Sequence, residues 1–199
     1  MKSLLWLLIA GIVLIAGCIE EKEVSMPDLS GKKVLMIVAP TNFRDEEFLK
    51  PKEILGDAGA SVTIASKGVK VARGMLGASV GVDLDLSKVD VKTYDAVVFV
   101  GGTGAEVYFN DSTALKIAKD AYDQGKVVAA ICIAPSILAN AGVLDGKSAT
   151  AFPSEASNLE EKGARYTGDS VTVDGKIITG KGPEAASQFG NEIAKALVD

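Results

Sequence analysis

Cys132 joins an apolar run to a helix-like segment, a position in which a thiol can act as a nucleophile. The run 126–131 predicts a strand buried on both faces, and Pro135 marks the first turn of a helix. A tight strand-to-helix turn of this kind, a nucleophile elbow, needs small neighbours, which Ala130 and Ala134 provide. The helix N-terminus then favours an acidic thiol. The alternative is a core cysteine without a chemical role.

Glu47 follows the first predicted strand, after a polar loop at 41–45. Pro51 follows four residues later and cannot donate a hydrogen bond to the Glu47 carbonyl, which predicts a distorted helix turn that points the carboxylate inward. The alternative is that Glu47 belongs, with Asp45 and Glu46, to a solvated acidic helix start.

Gly101 and Gly102 end another apolar run and permit the backbone to present an N–H group to a developing oxyanion. This signal is weak alone, because paired glycines after strands are common. No P-loop Lys-Ser/Thr follows, which argues against phosphate binding. Parallel sheets bind ligands at the carboxyl ends of their strands, so we expect Glu47, Gly101–Gly102 and Cys132 to meet at one edge.

The elements that must position these residues alternate between apolar runs and amphipathic segments, which is typical of an α/β protein. Strands are predicted at 33–39, 61–65, 94–100 and 126–131, and helices at 46–58, 111–124, 154–162 and 184–198. The runs 69–72 and 78–84, separated by glycines, predict a small antiparallel excursion. Asp174-Gly175 predicts a hairpin near the C-terminus.

Composition limits the functions that this chain can perform. Its 199 residues suit one domain with a substantial core. A formal net charge of -5 argues against nucleic-acid binding. The sequence contains no histidine, which excludes a Cys-His couple within the chain and His-rich zinc sites, and we assign no metal and no cofactor.

The first 18 residues read as a lipoprotein-type signal peptide. The uncharged stretch 4–19 would span roughly 24 Å as a helix, short of the ~30 Å hydrocarbon core of a bilayer. Ile15-Ala16-Gly17-Cys18 looks like a lipobox, which would make Cys18 a lipidated N-terminus; the alternative is an uncleaved anchor. Either predicts a domain, 32–199, tethered by the linker 19–31 on the extracytoplasmic side of the cell membrane. If Cys18 carries lipid, Cys132 has no partner for an intrachain disulfide.

The sequence resembles the ThiJ/PfpI superfamily, which has the class I glutamine amidotransferase-like fold and includes PfpI-type intracellular proteases and the parkinsonism-associated deglycase. The motifs that carry the resemblance are Phe43-Arg44-Asp45-Glu46-Glu47-Phe48 with Pro51, the segment 97–102, Ala129-Ala130-Ile131-Cys132 with Pro135, and the segments 138–147 and 179–183. The resemblance implies a flavodoxin-like, doubly wound, mostly parallel sheet with helices on both faces. It also implies that Cys132 is the nucleophile, that Glu47 hydrogen-bonds its sulfur, that the N–H groups of Gly102 and Ile133 form the oxyanion site, and that the protein is a homodimer or larger.

The sequence departs from this family at two positions. PfpI-type proteases place a histidine where Ile133 stands, and deglycase-type relatives place one near Phe152. Peptide hydrolysis needs a general acid for the leaving amine, and Glu47 is the only candidate nearby, so a peptidase is less favoured. Glutamine amidotransfer, which relies on a histidine base, is disfavoured for the same reason.

The predicted function is therefore a glutathione-independent, glyoxalase- or deglycase-like reaction on small reactive carbonyls, in a stress-protective role. Two alternatives stay open. One is a membrane-tethered redox sensor or holdase that acts on client proteins with little turnover. The other is a degenerate scaffold.

Overall fold

A seven-stranded sheet forms the centre of the protein in the computed structural model, which describes residues 26–199. The predicted leader 1–18, its Cys18, and the first part of the predicted linker, 19–25, lie outside the described residues. The central strands are β1 (Lys33–Ile37), β3 (Ser61–Ser66), β6 (Leu84–Asp85), β7 (Ala96–Phe99), β8 (Val127–Ile131), β11 (Val171–Asp174) and β12 (Ile177–Gly180). They lie in the order β11-β12-β8-β7-β1-β3-β6, and only β11 runs antiparallel to its neighbour.

Helices cover both faces of this sheet, which confirms the predicted doubly wound α/β fold. The helices are α1 (Asp45–Asp57), α2 (Ser112–Asp123), α3 (Pro135–Asn140), α4 (Ala156–Glu161) and α5 (Ala186–Ala196). Helices α1 and α5 pack against each other over one hydrophobic cluster, whereas α2, α3 and α4 cover the other. The strands between these layers are apolar on both sides; every residue of β7 and of β8 is buried.

A separate three-stranded sheet lies beside the main one. Its antiparallel pair was predicted from the runs 69–72 and 78–84. It consists of β2 (Thr41–Phe43), β4 (Val71–Gly74) and β5 (Ser79–Gly81), in which β4 and β5 are antiparallel. No strand was predicted at 41–43, because three residues of mixed polarity carry no periodic signal. Strands β9 (Ser148–Ala149) and β10 (Arg165–Tyr166) form a further parallel pair.

Helix α1 corrects one physical argument made from the sequence. Pro51 was expected to distort the helix at Glu47, but α1 runs unbroken from Asp45 to Asp57 and Pro51 is buried inside it. A Cβ at Gly190 of α5 would stand 3.0 Å from the Pro51 Cα, so the two helices nearly touch there. The inward direction of Glu47 therefore comes from the docking of α1 onto the sheet.

The packed part of the chain includes residues that the sequence assigned to the linker. Leu29 is fully buried, and its N–H donates to the Ala58 carbonyl at the end of α1 (2.7 Å). Residues 26–199 contain no helix with the length and apolar character needed to cross a bilayer.

Candidate active site

Cys132 occupies a sharp turn directly after β8. Its φ angle is 65°, in the left-handed region, where among the described residues only one other non-glycine, Asn42, lies. The Cys132 N–H donates to the Gly180 carbonyl (2.9 Å), and the Cys132 carbonyl accepts the Phe152 N–H (2.7 Å). Such backbone costs on the order of 1–3 kcal/mol and persists only where surrounding contacts hold it. The predicted elbow is present, and both flanking strands and loops fix it.

Glu47 lies beside this sulfur and is fully buried. Neither of its carboxyl oxygens has a hydrogen-bond partner among residues 26–199. Its two neighbours differ: Asp45 accepts two backbone hydrogen bonds, and Glu46 pairs with Arg44 at 2.8 Å. The alternative of a fully solvated acidic helix start is therefore wrong for Glu47, and a buried carboxyl without a partner is most stable with a proton.

Gly101 allows the carboxyl group and the thiol to meet. A Cβ at this position would stand closer than 3.0 Å to the Glu47 Oε2, to the Cys132 Cβ and to the Ile131 carbonyl oxygen. These three groups thus converge on a space that only glycine leaves open. We conclude that the carboxyl ends of β1, β7 and β8 bring the predicted residues to one point.

Backbone N–H groups from two loops surround the Cys132 sulfur. Those of Gly102 and Ile133 lie beside it and lower the pKa of the thiol. Gly102 has a φ of 91°, and a Cβ there would overlap the backbone of residues 42–44. Its conformation and this close approach both require glycine. The two N–H groups are the ones that the family resemblance implied for an oxyanion site.

The electrostatics of the pair differ from the acidic thiol that the sequence predicted. Burial raises the pKa of the Glu47 carboxyl to about 8, mainly because the charged form loses water. Burial and repulsion by an ionised Glu47 raise the pKa of the Cys132 thiol to about 12. The Glu47 oxygens have no hydrogen-bond partner among residues 26–199, so the carboxyl group and the thiol interact through their charges at close range. The direction that follows is a protonated Glu47 at neutral pH, which removes its repulsion of a thiolate.

A cavity of about 200 Å³ opens above the pair. Its walls come from Arg44, Glu47, Met75, Gly102, Thr103, Cys132, Ile133, Phe152 and Pro183. Pockets for drug-sized ligands usually enclose roughly 300–1,000 Å³, so this one suits a molecule of a few heavy atoms or the end of a longer one. Phe152 lines this cavity with 45% of its surface exposed, at the position near which deglycase-type relatives were expected to have a histidine.

Sequence reasoning missed the contribution of Met75 and of the turn that carries it. The Asp45 carboxylate accepts the N–H groups of Leu76 (2.9 Å) and Ala78 (2.7 Å), and the Phe43 carbonyl accepts that of Met75 (2.9 Å). A buried carboxylate at the start of α1 therefore holds one wall of the cavity. The glycines at 74 and 77 marked a turn there, but nothing in the sequence paired it with Asp45.

Residues 26–199 contain no group of three or more His, Cys, Asp or Glu side chains arranged to hold a metal ion. The chemistry that the described residues themselves support is nucleophilic attack by sulfur with proton transfer by one carboxyl group.

The chain is similar to known proteins both in sequence and in structure. The sequence profile of the DJ-1/PfpI family matches residues 32–196. An uncharacterised protein of Methanocaldococcus jannaschii, MJ0967, is 37% identical and aligns over 99% of this chain and 98% of its own length. The deglycase PH1704 of Pyrococcus horikoshii is 34% identical over 83% of this chain and 99% of its own. The crystal structure of a ThiJ/PfpI domain protein from Brachyspira murdochii superposes with a TM-score of 0.82 at 34% identity, covering 84% of this chain and 98% of that one.

Proposed function

We propose that this chain, which belongs to the DJ-1/PfpI family, is an enzyme that uses Cys132 to convert small reactive carbonyl compounds such as 2-oxoaldehydes. The observation that carries the proposal is the contact between a thiol on a strained turn and a fully buried carboxyl without a hydrogen-bond partner. A group kept in so costly a state is typical of a catalytic acid or base. The relative named deglycase supports the same class of substrate.

The first step is attack by the Cys132 sulfur on the aldehyde carbon of methylglyoxal, taken as the simplest substrate. The thiol proton first leaves to water, so that the reacting pair holds a single proton, on Glu47. The S–C bond then forms while the carbonyl oxygen, held by the N–H groups of Gly102 and Ile133, takes that proton. Glu47, now a carboxylate, moves the hydrogen of that carbon as a proton to the neighbouring carbonyl oxygen, which gives an enediol. It then moves the hydroxyl proton of the first carbon to the second carbon. The product is a lactoyl thioester of Cys132, with no external oxidant or reductant.

Water completes the cycle. It attacks the thioester carbon, the S–C bond breaks, and lactate leaves while the pair of Cys132 and Glu47 regains its proton. The sum is methylglyoxal plus water giving lactate and one proton. One group with a pKa near neutrality can serve every transfer in this sequence, because each proton is returned before the next is taken.

Peptide hydrolysis fits this site less well. A departing amine needs a proton at the moment its bond breaks, and the sequence has no histidine to supply one. The cavity of about 200 Å³ also leaves little room for an extended backbone on both sides of a scissile bond.

The test measures lactate formed from methylglyoxal without glutathione, by proton NMR. We expect Cys132→Ser and Glu47→Gln each to lower the rate by about 10²–10⁴, the usual value of a positioned acid or base. Glu53→Gln is the control, because Glu53 lies exposed on the same helix. Lactate formation at an unchanged rate in either active-site variant would eliminate the proposal.

A redox sensor is the second candidate, favoured by the position of the Glu47 carboxyl group beside the Cys132 sulfur, where it can donate a hydrogen bond to an oxidised sulfur. Mild peroxide should then add two oxygen atoms to Cys132, seen by mass spectrometry, with altered binding of client proteins and no turnover of methylglyoxal. Turnover without such oxidation favours the enzyme.

Two features complete the proposal. Members of this family are often oligomeric, and we place the active protein in a homodimer or larger assembly.

The leader tethers it to the cell membrane through Cys18, with the domain on the extracytoplasmic side. Mass spectrometry of the N-terminal peptide tests the tether: a lipidated Cys18 is expected, and an intact Met1 would contradict it.

A further inference from the structure

A niche lies above Gly182 on the rim of the cavity. A Cβ at Gly182 would stand 3.6 Å from the Glu184 Oε2 and 3.9 Å from the Phe152 Cδ2, and no other non-adjacent atom of residues 26–199 comes within 4 Å of that point. One side of the niche is thus a carboxylate and the other an aromatic ring. A single small group can contact both.

The Glu184 carboxylate is exposed and has no hydrogen bond or ion pair within the described part of the chain. Arg44, which lines the cavity, and Lys181, which precedes Gly182, are both engaged elsewhere. The Arg44 guanidinium binds Glu46 through two nitrogens, at 2.8 and 3.2 Å, and the Lys181 Nζ donates to the Gly168 carbonyl at 3.1 Å. The negative charge of Glu184 therefore remains uncompensated at the mouth of the cavity.

The residues that form the niche, or their direct neighbours, also line the cavity that holds Cys132. Phe152 lines the cavity, and its N–H donates to the Cys132 carbonyl. Pro183, next to Glu184, lines the cavity as well. The charge of Glu184 also reaches the buried acid, since it contributes to the raised pKa of Glu47. A molecule whose reactive carbon reaches Cys132 can thus extend into the niche.

We propose that Glu184 and Phe152 bind a positively charged group, an ammonium or a guanidinium, on the substrate. An aromatic face beside a carboxylate attracts such a cation through its quadrupole and through charge, and neither group favours an anion. The inference rests on the proposed function and narrows it: the preferred substrates are reactive carbonyl compounds that carry a cation a few bonds from the electrophilic carbon.

The test compares two phenylglyoxals of the same shape, one with a trimethylammonio group and one with a tert-butyl group at the para position. The quantity measured is the ratio of kcat/KM for the charged compound to that for the neutral one. Using this ratio in each variant cancels the intrinsic difference in reactivity between the compounds. We expect Glu184→Gln to lower the ratio about threefold to fivefold, as for an exposed ion pair.

Phe152→Leu should lower the same ratio about twofold to fivefold, because it keeps an apolar side chain but removes the ring. Salt should reduce the ratio in the unaltered protein and have a smaller effect in Glu184→Gln, since exposed charges are screened. Glu53→Gln, distant and exposed, is expected to leave the ratio unchanged. An equal ratio in the unaltered protein and Glu184→Gln would overturn the inference.

A binding measurement separates this inference from the proposed function. n-Butylguanidinium and its neutral counterpart N-butylurea are titrated while the ring resonances of Phe152 are followed by NMR. Shifts with the cation alone, lost in Glu184→Gln, support the niche even if no phenylglyoxal is converted, in which case the proposed function fails. Turnover of both phenylglyoxals with no preferential cation binding rejects the niche and leaves the function standing.

Discussion

The buried carboxyl group of Glu47 predicts that stability falls as pH rises through neutrality. Its pKa is raised from an ordinary 4.5 to about 8 in the folded protein. Between these two values the unfolded chain has released a proton that the folded chain still holds, so the free energy of unfolding decreases with pH. The slope is about 1.4 kcal/mol per pH unit, and the total between pH 4.5 and 8 is about 5 kcal/mol.

Cys132 does not disturb this window. The pKa of its thiol rises from 9.0 to about 12, so its own effect on stability begins above pH 9. Exchange of one proton between the thiol and the carboxyl group does not alter the prediction either. The slope depends on the number of protons that the pair holds in the folded and unfolded states, and not on which atom holds them.

Glu47→Gln provides the decisive comparison, because an amide resembles a neutral carboxyl group but cannot ionise. At pH 5 the variant and the unaltered protein should have nearly the same free energy of unfolding. At pH 8.5 the variant should be the more stable by up to about 5 kcal/mol, although we expect it to be inactive. Urea denaturation followed by circular dichroism measures both, and an unchanged m-value shows that only stability has altered.

The control is a variant of an exposed carboxyl group on helix α1. Glu53→Gln removes a carboxyl group from the exposed side of the same helix and should keep the full pH dependence. If the unaltered protein is equally stable at pH 5 and pH 8.5, or if Glu47→Gln shows the same slope, Glu47 does not hold a proton through neutrality. The proposed proton transfers would then lose their physical basis.

Three further substitutions test the geometry of the site. Gly101→Ala should abolish lactate formation and lower the Tm, because its methyl group would overlap the Glu47 carboxyl and the Cys132 Cβ; a stable, active variant contradicts this. Asp45→Asn should cost about 1–3 kcal/mol in urea denaturation and raise KM more than it lowers kcat, since one N–H of the turn that carries Met75 loses its acceptor. Unchanged KM argues against that role. Phe152→His should speed alkylation of Cys132 by iodoacetamide at pH 7 by placing an imidazole on the cavity wall, and an unaltered rate shows that the side chain there does not reach the thiol.

The positions of Cys132 and of Gly101–Gly102 could be predicted, because these residues come soon after the ends of buried strands in the sequence. An apolar run such as 127–131 can be satisfied only in the centre of the sheet, so the residue that follows it must emerge at the carboxyl edge. The small residues at 130 and 134 then indicated how tightly the chain turns at Cys132. Local sequence was sufficient for this part of the site.

The electrostatic state of the site was not predictable in the same way. The thiol was expected to be acidic from its place at a helix N-terminus, which is a local property. Its pKa is instead set first by burial, to which strands distant in the sequence contribute, and second by Glu47. The same holds for the turn held by Asp45, whose partners lie 31 and 33 residues away. Contacts of this range leave no periodic signal in the chain.

The missing histidine and the raised pKa of Glu47 are connected. A Cys-His couple stores its reactive form as an ion pair, which needs a polar surrounding to hold two charges. Here the cavity wall near the thiol is largely apolar, with Met75, Ile133 and Phe152. The desolvation free energy of an ion pair in this cavity would therefore exceed that of a pair with at most one charge. A carboxyl group with a pKa of about 8 beside a thiol with a pKa of about 12 leaves the pair uncharged at neutral pH and with a single charge above pH 8. A pair with so little charge suits a reaction in which the Cys132 sulfur itself is the leaving group, and this is why we propose small carbonyl compounds rather than peptides as substrates.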